Sequence, residues 1–517
     1  MTKRAWMLVL LGLAAGSACG DDSSAGDDGG DAEVSDDGDG DAGADGDGDA
    51  DGDGDADTVD PTTVTGSWID DYVTDDGATP RAMSLASTTI QAHLWDGSSF
   101  TTRRGTGTAA GTYSISGVPV GPYVLQIGAD YLVTSARDVD LGEAKTGRVD
   151  AETASSFATT LTFNLSDLDP WQAGDELELI SSGSGAWYHL IQAVATNPPT
   201  AGATTTSGMQ LMWIGSALVD GAAGDVAFLG QLVPQAGPAG SSYLALTRVL
   251  QTGPSFAMAD GVDNVIAGAL AAAPRSSTIA LDWRRSQFAA LAAAVHPDAG
   301  VLSAELVVAV QPGGLARGAR RPWNHLLHVP PLGAVEDLDL GAVAYANPYP
   351  AMWGVFGFAS ATFVILYQLP GASRTAQSAS ISVMDDAAVL GAGPIVPIVS
   401  PVTGLRVNGA DALAGATGVG MTPTLSWTAP AAGTPTHYVV GVFEAYVSSG
   451  MTSVGNVGGV VAAETSVVIP PGLLAAGRHY VFLVRAVAEP NGDFAAHPFR
   501  RSFPSATADA YTNLIDP

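Results

Sequence analysis

Residues Gly111-Thr112-Tyr113-Ser114-Ile115-Ser116-Gly117-Val118-Pro119-Val120-Gly121-Pro122-Tyr123-Val124-Leu125 decide how the rest of the chain is to be read. Tyr113 and Ile115 alternate with small polar residues, Gly117, Pro119 and Gly121 supply turn chemistry, and Tyr123 and Leu125 resume the alternation. A period of two puts alternate side chains on one face of a strand. The stretch therefore predicts two paired antiparallel strands reversed at 117–121, with Tyr113, Ile115, Tyr123 and Leu125 facing one core. The same rhythm recurs at 88–94, 161–165, 176–180, 186–193, 209–214, 225–232, 242–250, 278–283, 304–310 and 338–344, broken by Gly, Pro and Asp. The expected fold is mainly β: tandem antiparallel β-sandwich modules following a signal peptide and a disordered Asp/Gly-rich linker.

The 517 residues carry a formal net charge of −32, unevenly spread. Seventeen Asp and Glu33 give residues 19–60 a charge of −18, whereas residues 61–517 carry −16. This balance excludes a nucleic-acid binder, which needs clustered cations to displace phosphate counterions. Residues 20–60 are almost entirely Asp, Gly, Ala and Ser. With almost nothing apolar to bury, such a segment cannot offset its ordering entropy and is expected to be disordered. Asp49, Asp51, Asp53 and Asp60 fall at the first, third, fifth and twelfth positions of an EF-hand-like spacing. With no flanking helices and Asp where Glu is usual, they imply loose calcium association only.

Residues 1–18 run from a basic start (Lys3, Arg4) through an apolar stretch to small residues before Cys19, the only cysteine. That is the layout of a secretory signal peptide, with an apolar run too short to span a bilayer. Gly16-Ser17-Ala18-Cys19 resembles the lipidation site of bacterial lipoproteins, although the family usually has Leu where this chain has Gly16. The resemblance implies lipidation of Cys19, removal of 1–18 and a membrane contact through the lipid. A lone cysteine also excludes an intramolecular disulfide. Two Lys against nineteen Arg, sparse charge and heavy Ala/Gly use resemble exported proteins of high-GC Gram-negative bacteria, particularly the myxobacterial type. That implies an extracytoplasmic location, at the outer membrane or cell surface.

Residues 61–150 resemble the carboxypeptidase regulatory-like (transthyretin-like) β-sandwich. The resemblance rests on the stretch quoted above together with Val64-Thr65-Gly66 and the strand near Ile90. It implies a fold and no catalysis. Gly105-Thr106-Gly107-Thr108-Ala109-Ala110 matches a dinucleotide loop by letter but lacks the strand-to-helix context, and is read as a hairpin loop. Residues 396–517 resemble a fibronectin type III domain. Leu425-Ser426-Trp427 would set Trp427 between sheets, and Leu474-Ala475-Ala476-Gly477-Arg478-His479-Tyr480 would make Tyr480 the tyrosine-corner residue. Residues 447–459 read as an insertion rich in Ser and Gly.

The middle, 155–395, carries no motif that resembles a family and is expected to hold one or two sandwich units. A short helix is expected near 286–296, capped by Ser286 and stopped at His296-Pro297. The apolar run 353–367 is expected to be one long strand or a bent hairpin. No nucleophile elbow, zincin helix or Walker loop occurs. Asn324-His325-Leu326-Leu327-His328 would share a metal only if helical. Pro322, Pro330 and Pro331 favour an extended segment, in which i and i+3 point to opposite faces. Trp187-Tyr188 and Tyr349/Trp353 are expected in core or rim positions, and Asp385-Asp386 and Glu336/Asp337/Asp339 in turns. No catalytic residue, cofactor or metal ligand is therefore assigned.

These features point to a membrane-anchored, non-catalytic binding or structural component of the cell envelope, contacting glycan or protein. The alternative is an extracellular hydrolase of polysaccharide or peptide with its catalytic unit in 155–395. A cleft there converging two carboxylates, or His325 and His328 with a third ligand, would favour the enzyme.

Overall fold

The computed structural model describes residues 60–517, apart from 190, 319–321 and 334. The expectations for Cys19, Asp49, Asp51 and Asp53 thus lie outside the described residues. Asp60 is the first described residue and is exposed. The fold is mainly β, built as β-sandwich units in tandem.

In the first unit Tyr113, Ile115, Tyr123 and Leu125 all face one core, with Val64, Ile90, Ile127, Leu132 and Val139. Their strands do not pair, however. Thr112–Ile115 pairs with Val64–Ser67, whereas Tyr123–Ile127 pairs with Ile90–Trp95 and Asp130–Thr134. The segment 117–121 crosses from one sheet to the other. Alternation alone marks a face and not a partner, so a sandwich crossing reads like a hairpin. The Gly105/Gly107 segment serves close packing: a Cβ on Gly105 would lie 2.6 Å from Ile115 Cγ1 and 2.7 Å from Ser114 O.

The middle contains two cores. Leu161, Phe163, Leu165, Leu177, Leu179 and Leu229 belong to the first, between the sheet of Thr160–Ser166, Met209–Met212 and Asp263–Ala269 and the pair Glu176–Ser181 and Ala227–Ala236. The second surrounds Trp283, Phe288, Val308 and Phe363 and continues into the C-terminal residues Trp427 and Tyr480. Gly354–Tyr367 is one unbroken strand, paired from Phe356 to Tyr367 with Thr375–Asp386. Among the described residues no helix is long and apolar enough to cross a membrane, which leaves membrane-spanning strands untouched. Near 286–296 lie two short helices, Arg285–Ala289 and Ala292–Val295, burying Phe288 and Val295. Ser286 is not the cap, because its N–H and Oγ–H donate to Asp337 at 3.0 and 2.7 Å.

The C-terminal region sets Thr403–Val407, Thr424–Thr428 and Ser466–Val468 against His437–Ser448, Met451–Ala462, His479–Ala488 and Ser505–Tyr511. Trp427 is buried between the sheets. The Tyr480 hydroxyl accepts the Ala475 N–H at 2.8 Å, closing the corner. Residues 447–459 lie within the long hairpin formed by His437–Ser448 and Met451–Ala462.

The units are not separate beads. Ser242–Gln251 pairs with Asn324–Leu332, joining the two middle units. Thr375–Asp386 pairs with Ser505–Tyr511, and Asp130–Thr134 runs parallel to Met451–Ala462. The Arg485 guanidinium grips Asp509 at 2.7 and 3.1 Å, and Asp509 Oδ2 also accepts the Ser380 N–H at 2.9 Å. One hydrogen-bonded ladder therefore passes through every unit of residues 61–517.

Candidate functional site

Alternation along Glu176–Ser181 builds one wall of the site. Leu177 and Leu179 enter the first middle core, so Glu176, Glu178 and Ile180 must face the other way. The second wall is the strand Asn324–Leu332. His325 and His328 are extended, as the neighbouring prolines imply, yet both face the carboxylates. The reason is a β-bulge: Val308 pairs with Leu327 and Ala309 with His325, leaving Leu326 as an extra residue. A bulge adds one residue to the local count and re-aims side chains, so i and i+3 fall on one face. The expectation of opposite faces therefore fails, because the alternation is interrupted between the two histidines. His189, just after Trp187–Tyr188, closes the group from the side and stacks on Trp187 at 6.1 Å between centroids.

Glu176, His189, His325 and His328 each offer a donor atom, and these atoms all lie within 4.8 Å of one another. Glu176 Oε2 is 3.5 Å from His189 Nε2 and 3.2 Å from His328 Nδ1. Glu178 Oε1 is 2.8 Å from both His189 Nε2 and His325 Nδ1. Those last three atoms are buried and make no hydrogen bond, despite their closeness. Glu178 Oε2 is fixed by the main-chain N–H of His325 at 2.9 Å. On the outer side, Glu305 Oε1 lies 3.2 Å from His328 Nε2, with about a third of its side chain exposed.

Among the described residues, the ion pairs of Glu176, Glu178 and Glu305 are all with imidazoles. Buried carboxylates require compensating positive charge. Burial opposes charge on His189, but Glu178 and Glu176 outweigh it and push its pKa up to about 10. Burial likewise opposes charge on His328, and Glu176 and Glu305 raise it to about 9. His325 goes the other way, since burial outweighs the pull of Glu178. Burial would raise the Glu178 carboxyl, but His325 and His189 hold it well below the usual carboxylate range. Chemically, the group can share protons among imidazoles and carboxylates, or present three nitrogens and an oxygen to a cation.

The other sequence candidates do not converge. Tyr349 and Trp353 stack on each other at 5.2 Å, buried against Phe228. Asp386 caps Ala387–Leu390, and Asp339 accepts the Gly341 N–H. His93 is held between Thr102 and Gln126, and His437 stacks on Phe494. Sequence reasoning singled out neither Glu176 nor Glu178, and it set His189 among scattered histidines with structural or surface roles. The available signal was Glu176-Leu177-Glu178-Leu179, two carboxylates on one face of an otherwise apolar strand, which must find partners.

No family model matches the chain, and no curated protein matches it. Among solved structures it is similar to the FN1-FN3 domains of chicken CNTN1, at 10% identity and a TM-score of 0.12, covering 71% of this chain and 99% of that one. A second likeness is to a tetra-tandem repeat in the extending region of a large adhesion protein, at 13% identity and a TM-score of 0.11, covering 88% of this chain and 99% of the other. Both overlaps are too slight for either protein's role to be carried over.

Proposed function

We propose that this chain is an exported, lipid-anchored lipoprotein acting as a non-catalytic binding or structural component of the cell envelope. The observation that carries the reading is the order of parts in the sequence: a basic-apolar-small leader, Cys19, a segment bearing −18, and then a region, 61–517, whose described residues are mainly β. Two or more acyl chains, each buried CH₂ contributing about 0.8 kcal/mol, give stable anchoring. The acidic segment then acts as a stalk, extended by self-repulsion. Metabolic labelling with a tagged fatty acid tests the anchor. The wild type takes up label and Cys19→Ser does not; label on both, or on neither, overturns it. Glycan arrays and pull-downs with the full chain test the binding role, which no ligand and no partner would leave unsupported.

One observation favours the hydrolase alternative: His325 and His328 do meet a third imidazole and two carboxylates. Catalytic metal sites keep a coordination position open to water. Here four protein donors converge, with His325, His328 and Glu178 nearly inaccessible. That enclosure supports the non-catalytic reading. Turnover of polysaccharide or peptide substrates by the zinc-loaded full chain, abolished in His189→Ala, would establish the hydrolase instead.

A further inference from the structure

We propose that Glu176, His189, His325 and His328 bind one divalent transition-metal ion of the zinc class, which staples the strand Glu176–Ser181 to the strand Asn324–Leu332. The inference stands apart from the envelope reading and survives its failure.

Three observations carry it. The first is donor chemistry: three imidazole nitrogens and a carboxylate oxygen suit zinc and its neighbours, while calcium and magnesium take oxygen ligands. The second is spacing. Four donors at about 2.0–2.1 Å from a tetrahedral ion lie roughly 3.3 Å apart. Donor atoms already within 4.8 Å of one another need only a small inward closure to reach that arrangement. The third is the state of the buried atoms. Two of the proposed ligand atoms, His189 Nε2 and His325 Nδ1, are buried and each lies 2.8 Å from Glu178 Oε1 without hydrogen-bonding alignment, so both ligand nitrogens are left without a partner.

The surroundings are those of a metal ligand set. His328 turns Nδ1 to the group and Nε2 to Glu305, the carboxylate–histidine relay that fixes ring orientation and tautomer. Glu178 is held in place by the His325 main-chain N–H and balances charge beside His189 and His325. With neutral imidazoles, the three carboxylates carry −3, of which a dication offsets two, leaving one negative charge on the partly exposed Glu305 side. The ion would tie together segments 147 positions apart where the two middle units meet, so its role is structural.

The test uses the full chain, stripped with a chelator and titrated with zinc alone against a chromophoric competitor. One equivalent binds, and the thermal midpoint of the loaded protein rises. Cobalt(II) in place of zinc gives the visible absorption of a four-coordinate nitrogen–oxygen site. His189→Ala, which alters a partly exposed loop side chain, weakens zinc at least about 100-fold, and Glu305→Gln weakens it about 10-fold or more. Should His189→Ala fail to fold, Glu305→Gln carries the comparison. Absence of stoichiometric zinc on the wild type overturns the proposal. So does undiminished binding by folded variants, since the zinc would then sit elsewhere, for instance on the Asp-rich segment.

Discussion

Glu178 takes hold of His325 twice: Oε2 accepts its main-chain N–H at 2.9 Å, and Oε1 lies 2.8 Å from its ring Nδ1. The two residues are 147 positions apart. This contact sets the strand Glu176–Ser181 against the strand Asn324–Leu332 and gathers the imidazoles around the carboxylates.

Removing Glu178 should therefore be costly whatever ion the group holds. Glu178→Ala leaves a buried N–H and two imidazoles without their anion, and breaking a buried pair costs about 3–5 kcal/mol. Urea unfolding of the metal-free chain measures it. A loss below about 1 kcal/mol would mean that His189 and His325 find other partners.

His437 should make the protein acid-sensitive. Burial first, and then the nearby Arg501 charge, lower its pKa to about 4. An unfolded histidine titrates near 6.5, so stability is fully present above about pH 6.5 and is lost as pH falls through about 4. Between pH 7 and 4.5 this residue removes about 2–3 kcal/mol. His437→Phe, which can keep the stacking on Phe494, should lose less stability than the wild type over that interval. Parallel urea midpoints for the two proteins would show that burial of this ring is not what titrates.

Tyr480→Phe removes only the hydroxyl that accepts the Ala475 N–H. Ala475 is exposed, so water can take up its N–H and the loss is that of one ordinary hydrogen bond, about 0.5–1.5 kcal/mol. The denaturation midpoint should fall with an unchanged slope, and an unchanged midpoint would contradict the corner.

Asp509 joins two units, gripping Arg485 within the C-terminal sheet and the Ser380 N–H of the neighbouring middle strand. Residues 277–395 and 396–517 should consequently melt together, with calorimetric and van't Hoff enthalpies in agreement for that transition. Asp509→Ala should lower its midpoint. Two separate transitions in the wild type would show that the ladder is continuous in geometry but not in energy.

Local patterns were legible because they act over a few residues. Alternation marked the strands, Pro297 stopped the short helix, and the spacing from Leu474 to Tyr480 placed the corner. Partnership was not legible: Tyr113 and Tyr123 share a core from opposite sheets, although their sequence reads as a hairpin.

The sequence by itself determined that this is a β protein with a charge-segregated N-terminal region, since period-two burial and composition are properties of short windows. Only the tertiary structure decided that the protein has a Glu/His centre. Glu176 and Glu178 come from one strand and His189 from a loop, while His325 and His328 share a face only because Leu326 bulges. Strand pairing across about 150 residues, and a bulge that depends on the partner strand, are set by packing that no local window contains.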